Sequence, residues 1–248
     1  MGVFSYLSKE SRKKRAVAKA VARANNKHMP KDYRRASLGQ VVDWAKEKDP
    51  DAIAGLVARF SVFAQPSIED EEEKEWIHDV LVDVGRDALG ALFNAVAGGA
   101  ESISWHLRTL ELILDAEEFS DELMKFVNQF DTEYERNPDR KIQLITALGE
   151  RKDSRVPSTL VRFLEDVDET VRFNTVKALA NHGDEETTRE PFINLLIKEE
   201  SQRVRDELVD LLYELKWSVR GYRKAVEAVL PPGYKLDRQG ALKKSARR

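Results

Sequence analysis

The 248-residue chain has no cysteine, only 12 glycines and 8 prolines, and no stretch of 18 uninterrupted apolar residues. Without cysteine there are no disulfides, thiolate metal sites or cysteine nucleophiles. So little Gly and Pro excludes collagen-like and proline-rich low-complexity chains. The missing apolar run leaves no window that spans a bilayer as a helix. Sequence motifs for common chemistry are also absent: GxxxxGK(S/T), GxGxxG and GxSxG do not occur. The four histidines, His28, His78, His106 and His182, have no partner His at i+4 and no HExxH context, so no metal site is expected. No catalytic residue and no cofactor is assigned.

The opening segment, MGVFSYLSKESRKKR, lacks the charge order, apolar stretch and cleavage site of a secretory signal. Tyr6 stands where N-myristoylation wants Ser or Thr. A cytoplasmic location is the expectation.

What the chain does have is charge, and it is unevenly placed. Hydrophobic residues make up 42% and charged residues 34%, with a formal net charge of −3. Residues 1–36 carry eleven Lys or Arg against two acidic residues, a net of +9, and residues 216–248 carry a net of +8. The stretch between them stands at −20. The expected organisation is a basic N-terminal amphipathic arm over 1–36, an acidic body over 37–216, and a helix with a basic tail over 217–248.

Within the body, apolar residues recur at i, i+3, i+4 and i+7 in blocks of 10 to 16 residues. This spacing predicts helices near 38–47, 50–63, 70–84, 86–97, 101–115, 120–135, 139–149, 155–165, 168–181, 187–199 and 201–216, with 219–229 as a twelfth. No alternating strand pattern appears. The segment DETVRFNTVKALANHGD, Asp168 to Asp184, is echoed by SQRVRDELVDLLYELK, Ser201 to Lys216. Val171-Arg172 and Val204-Arg205 lie 33 residues apart, and the helix-ending Gly149 and Gly183 lie 34 apart. A period of that length is the mark of stacked helical hairpins, each burying one stripe against itself and the rest against its neighbours. Val171, Leu179, Val204, Leu208, Leu211, Leu212 and Leu215 are the expected core.

On these residues the chain resembles the HEAT-repeat family in its short bacterial form. Asp168, Val171, Arg172, Ala178, Leu179, Gly183 and Asp184 match its second-helix pattern, and Ser201, Val204, Arg205 and Leu148, Gly149, Glu150 match parts of the flanking copies. Pro157 and Pro191 sit early in first helices, as Pro does in that family. The resemblance covers 138–216 well and 50–137 loosely. It implies an all-α, HEAT-like solenoid of about five hairpins with basic terminal extensions. It also implies a non-enzymatic scaffold or adaptor that holds a protein partner on a curved surface.

Arg172 and Arg205, read as pointing outward beside buried valines, are candidate partner contacts, as are Trp76, Trp105 and Arg108. Candidate contacts for an anionic partner or surface are Arg12, Lys13, Lys14, Arg15, Lys19, Arg23, Lys243, Lys244, Arg247 and Arg248. In the first block Ala16, Val17, Ala20, Val21 and Ala24 share one helical stripe. Three roles stay open for it: a cap on the first hairpin, a nucleic-acid arm, or a membrane arm. The acidic run Glu69 to Glu73 suits a solvated first helical turn, or a surface for a basic partner or the chain's own basic ends. PPGY at 231–234 reads as a turn, with a short match to WW-domain ligands. A different class is also open: the HEAT-like alkylpurine DNA glycosylases need Trp, Asp and Arg on a positively charged concave face. Trp76 with Asp79, or Trp105 with Arg108, faintly matches that set, although a body at −20 repels phosphates. A HEAT-like chromophore lyase or its chaperone is a third reading.

Overall fold

The computed structural model describes residues 2–100 and 102–244. The described residues are all-α except for one short β-hairpin, and the chain divides into two compact units, Met1–Phe119 and Ser120–Arg248.

The first unit is built as two rows of helices. One row is α1 (Gly2–Ala24), α3 (Pro50–Arg59) and α5 (Leu89–Ala97); the other is α2 (Lys31–Lys46), α4 (Ser67–Val84) and α6 (Ser104–Ile113). Successive elements form the hairpins α1/α2, α3/α4 and α5/α6, and each member packs on the next one in its own row. Sequence pattern placed residues 1–36 outside the body, yet α1 is half of the first hairpin. Val17, Ala20 and Ala24 are buried against α2 and α3. Small side chains let α1 approach closely: a Cβ on Gly55 of α3 would lie 2.4 Å from a Val21 methyl. Asn25 adds a donor, its Nδ2 giving a 3.1 Å hydrogen bond to the Gly55 carbonyl.

The second unit repeats the scheme. The last turns of α7 (Ala116–Val127), which crosses the unit boundary, precede α8 (Asp139–Gly149), and α8, α10 (Glu169–His182) and α12 (Gln202–Glu214) form one row. The other row comprises α9 (Val156–Leu160) with its 3₁₀ continuation Val161–Glu165, then α11 (Glu185–Lys198) and α13 (Arg223–Val229). Helix starts are set by caps: Asp168 accepts from the Thr170 and Val171 amides at 2.7 and 3.2 Å, and Ser201 accepts from the Val204 amide. Gly183 ends α10 in the left-handed conformation, at φ 62°. Gly149, one period earlier, ends α8 for a different reason: a Cβ there would sit 2.6 Å from the Ala178 Cβ, so its bareness lets α8 and α10 touch.

Several expectations change. Leu211 and Leu215 are only half-buried, and Val209 takes the buried position. Pro157 lies in the first turn of α9, but Asp184 caps α11 early enough to put Pro191 in its interior, where it withholds a helical amide. The expected helix over 120–135 stops at Val127. The tail after Pro231-Pro232 is no extended segment: β1 (Tyr234–Leu236) and β2 (Leu242–Lys244) pair antiparallel, Leu236 opposite Leu242. Leu242 is buried, and the hairpin rests on α12 and α13. Three-residue strands are too short to show a periodic pattern.

Gly149→Ala is expected to destabilise the protein by about 1–3 kcal/mol by forcing α8 and α10 apart, measured by urea unfolding.

Candidate functional site

In the second unit, the residues that looked like partner contacts are divided by what they touch. Arg172 does not point outward. Its Nε and Nη2 donate to the two Glu199 carboxylate oxygens at 2.8 and 2.7 Å, and its Nη1 donates to the Asp166 and Val167 carbonyls. Burial works to raise the Glu199 pKa, but the Arg172 fork and the Ser201 and Glu200 amides outweigh it and hold the carboxyl below its ordinary range. One hairpin earlier Lys141 plays the same part, its Nζ 2.8 Å from Asp166 with both side chains buried. These cations fasten one hairpin to the next. Arg205 occupies the matching position on α12, but among the described residues its guanidinium donates only to Gln202 on its own helix.

In the first unit, the acidic run is split: Glu71 and Glu72 are exposed, and Asp70 and Glu73 turn inward. Asp70 and Glu73 are buried and bind three buried cations. Arg59 Nη2 lies 2.5 Å from Asp70 and 2.8 Å from Glu73, Arg34 Nε lies 3.0 Å from Glu73, and Lys74 Nζ lies 2.7 Å from Asp70. Lys31 reaches Glu69 at 2.7 Å. Lys31 and Arg34 belong to the basic block, so Glu69 and Glu73 meet the chain's own basic end, while Asp70 meets Arg59 and Lys74. Burial pushes the Asp70 pKa up, and the Lys74 and Arg59 hydrogen bonds overcome that and leave it lowered.

Trp105 is half-buried and its ring is in use: Phe60 stacks on it at 5.9 Å, His78 is tilted against it at 5.8 Å, and the Arg108 guanidinium sits 4.9 Å from its centroid. Thr109 spends its hydroxyl proton on the Trp105 carbonyl, so His78 donates its Nδ1 proton to Thr109 at 2.9 Å. Trp76 is half-buried on α4. These residues do not form an open stacking platform. His106 is fully buried edge-on to Phe60, and burial pushes its pKa down to about 4. Among the described residues no group of three or more His, Asp or Glu is placed to hold a metal ion. No helix among them is long and apolar enough to cross a membrane.

The basic candidates on α1 are exposed. Lys13 is committed to Asp49 at 3.1 Å and Glu47 at 3.4 Å, and Lys14 lies 3.9 Å from Asp51. Arg12, Arg15, Lys19 and Arg23 are exposed and form no ion pair with the described residues. At 100° per residue these four fall within an arc of about 80°, opposite Val17 and Ala24, and they extend over about 16 Å of helix. Docking the apolar stripe is what turns this face outward. Lys243 and Lys244 are each 3.9 Å from an acidic partner, Asp237 and Asp210. Arg247 and Arg248 lie outside the described residues. Gly55, the position that seats α1, carried no signal in the sequence beyond being a glycine inside a helical pattern.

Two outcomes follow from these contacts. Arg172→Ala strands a buried Glu199 and should cost about 3 kcal/mol, whereas Arg205→Ala should stay within about 0.5 kcal/mol in the same urea titration. His106 titrates near 4 folded and 6.5 unfolded. Its contribution is therefore complete above pH 6.5 and is lost as pH falls toward 4. Stability should drop by about 2 kcal/mol between pH 7 and pH 5, and His106→Leu should remove that part of the decline.

Comparison with curated proteins and with solved structures finds no match. The HEAT-repeat family model matches residues 132–213, which span α8 to α12 and the Lys141–Asp166 and Arg172–Glu199 fasteners. Residues 132–213, about a third of the chain, are recognisable HEAT repeats.

Proposed function

We propose that this protein is a non-enzymatic scaffold that binds a protein partner and contacts an acidic part of it through the outer face of α1. HEAT repeats generally mediate protein interactions. The observation that carries the more specific reading is the stripe Arg12, Arg15, Lys19 and Arg23. Between hairpins, cations meet carboxylates, as Arg34, Arg59, Lys141 and Arg172 do. Four adjacent cations left without carboxylates, on a helix held in place by Val17, Ala20 and Ala24, form a preorganised positive surface. The glycosylase reading loses support because the Trp105 ring is occupied by Phe60 and Arg108.

The test compares the full chain with its R12E/R15E/K19E/R23E variant in affinity capture from native lysate, each with and without nuclease. The expected result is a protein partner that survives nuclease and is lost from the variant. Recovery that disappears with nuclease would replace this reading with nucleic-acid association, for which a steep salt dependence is the signature.

A further inference from the structure

A second concentration of positive charge lies in the other unit, and the repeat pattern does not account for it. A cavity of about 870 Å³ opens between α11, the segment after α12 and the tip of the β-hairpin. Arg189, Arg220, Arg223 and Arg238 line it, with Glu185 as the one acidic side chain. Arg189 lies 3.8 Å from Glu185 and Arg223 lies 3.0 Å from Glu227, which leaves Arg220 and Arg238 as two uncompensated guanidiniums, a local charge of +2.

Its walls are fixed by hydrogen bonds that do not involve the cavity's contents. The Val219 amide donates to the Gly240 carbonyl at 2.9 Å, and Ser218 Oγ donates to the Gln239 carbonyl at 2.9 Å. Gly240 stands at φ 82°, and a Cβ there would meet the Arg220 amide nitrogen and Ser218 Oγ at 3.1 Å, so only glycine lets the turn seat this closely. Arg223 is anchored through the Asp237 carbonyl at 2.7 Å and through Glu227 at 3.0 Å, and Arg189 through the Ser218 carbonyl at 2.6 Å. Seating the turn brings Arg238 and Arg220 to the same cavity. Neither of these two guanidiniums has a hydrogen-bond or ion-pair partner among the described residues.

We infer that this cavity binds a small ligand through a diphosphate group. Guanidinium forks match phosphoryl oxygens two at a time, and two adjacent phosphoryl groups offer one fork partner each to Arg220 and Arg238. A single carboxylate would leave one of the two guanidiniums unmet. Among the described residues no aromatic side chain lines the cavity, so none of them stacks on a base, and recognition rests on the phosphates themselves. The site is independent of the α1 stripe, which lies in the other unit.

Isothermal titration of the full chain with inorganic pyrophosphate, without divalent cations and at fixed ionic strength, tests this. Saturable one-site binding is expected, with the Kd raised about tenfold or more in Arg220→Ala/Arg238→Ala and unchanged in the α1 charge-reversal variant. Both arginines are exposed, so the far-UV circular dichroism of the double variant should match the parent. A parallel titration with ADP identifies the source: equal affinity means that the diphosphate alone is read, and tighter ADP binding means that a nucleotide supplies it. The inference is overturned if neither ligand binds, if binding survives the double substitution, or if an oligonucleotide binds through these arginines while pyrophosphate does not.

Discussion

Close contact between successive helices in each row is the constraint on which the rest of this structure depends. It is met where side chains are smallest, at Gly55 against Val21 and at Gly149 against Ala178. Helices that approach so closely exclude water, so each polar group caught between hairpins needs a protein partner. Arg34, Arg59 and Lys74 pair with Asp70 and Glu73 in the first unit, with Arg34 Nη2 and Arg59 Nε left unbonded among the described residues, and Lys141 pairs with Asp166 and Arg172 with Glu199 in the second. Such pairs matter chiefly when broken. The isolated charge left behind costs more than the intact pair adds, which ties each hairpin to one register on the next.

The same requirement decides which charges remain for function. A cation drawn into a row interface is used there, as Arg172 is, while one on the opposite face of a docked helix has no local carboxylate to meet. Burying Val17, Ala20 and Ala24 therefore does two things: it completes the first hairpin, and it presents Arg12, Arg15, Lys19 and Arg23 together on a rigid helix. At the other end, folding the basic tail into a hairpin brings Arg238 to Arg220 around a cavity. In both places positive charge that reads as a featureless run along the chain becomes a shaped surface.

The repeats were legible because their signals are local and periodic. Asp168 and Ser201 as caps, Gly183 as a stop, and Val171 and Val204 as buried positions all recur at the hairpin period. The fate of individual charges was not legible. Arg172 and Arg205 look alike in sequence, and only the presence of Glu199 at the end of the neighbouring hairpin separates a fastener from a free side chain. Asp70 and Glu73 read as a solvated helix start because Arg59 is 11 residues from Asp70 and Arg34 is 39 residues from Glu73 along the chain. The basic end stayed open between a cap on the first hairpin and a free arm because its apolar stripe is mostly Ala, and only the glycine offered by the facing helix decides for docking. The β-hairpin escaped notice for want of length.

The central claim is that α1 is a structural half of the first hairpin and displays its basic face from that fixed position. Amide hydrogen exchange along α1 in the intact protein measures this directly. The account predicts slow exchange for the amides of Val17 to Ala24, comparable with those of α2, because opening them requires undocking the hairpin. Exchange of this segment at the rate of an unstructured peptide, beside a protected α2, would contradict it and return the basic block to a free arm.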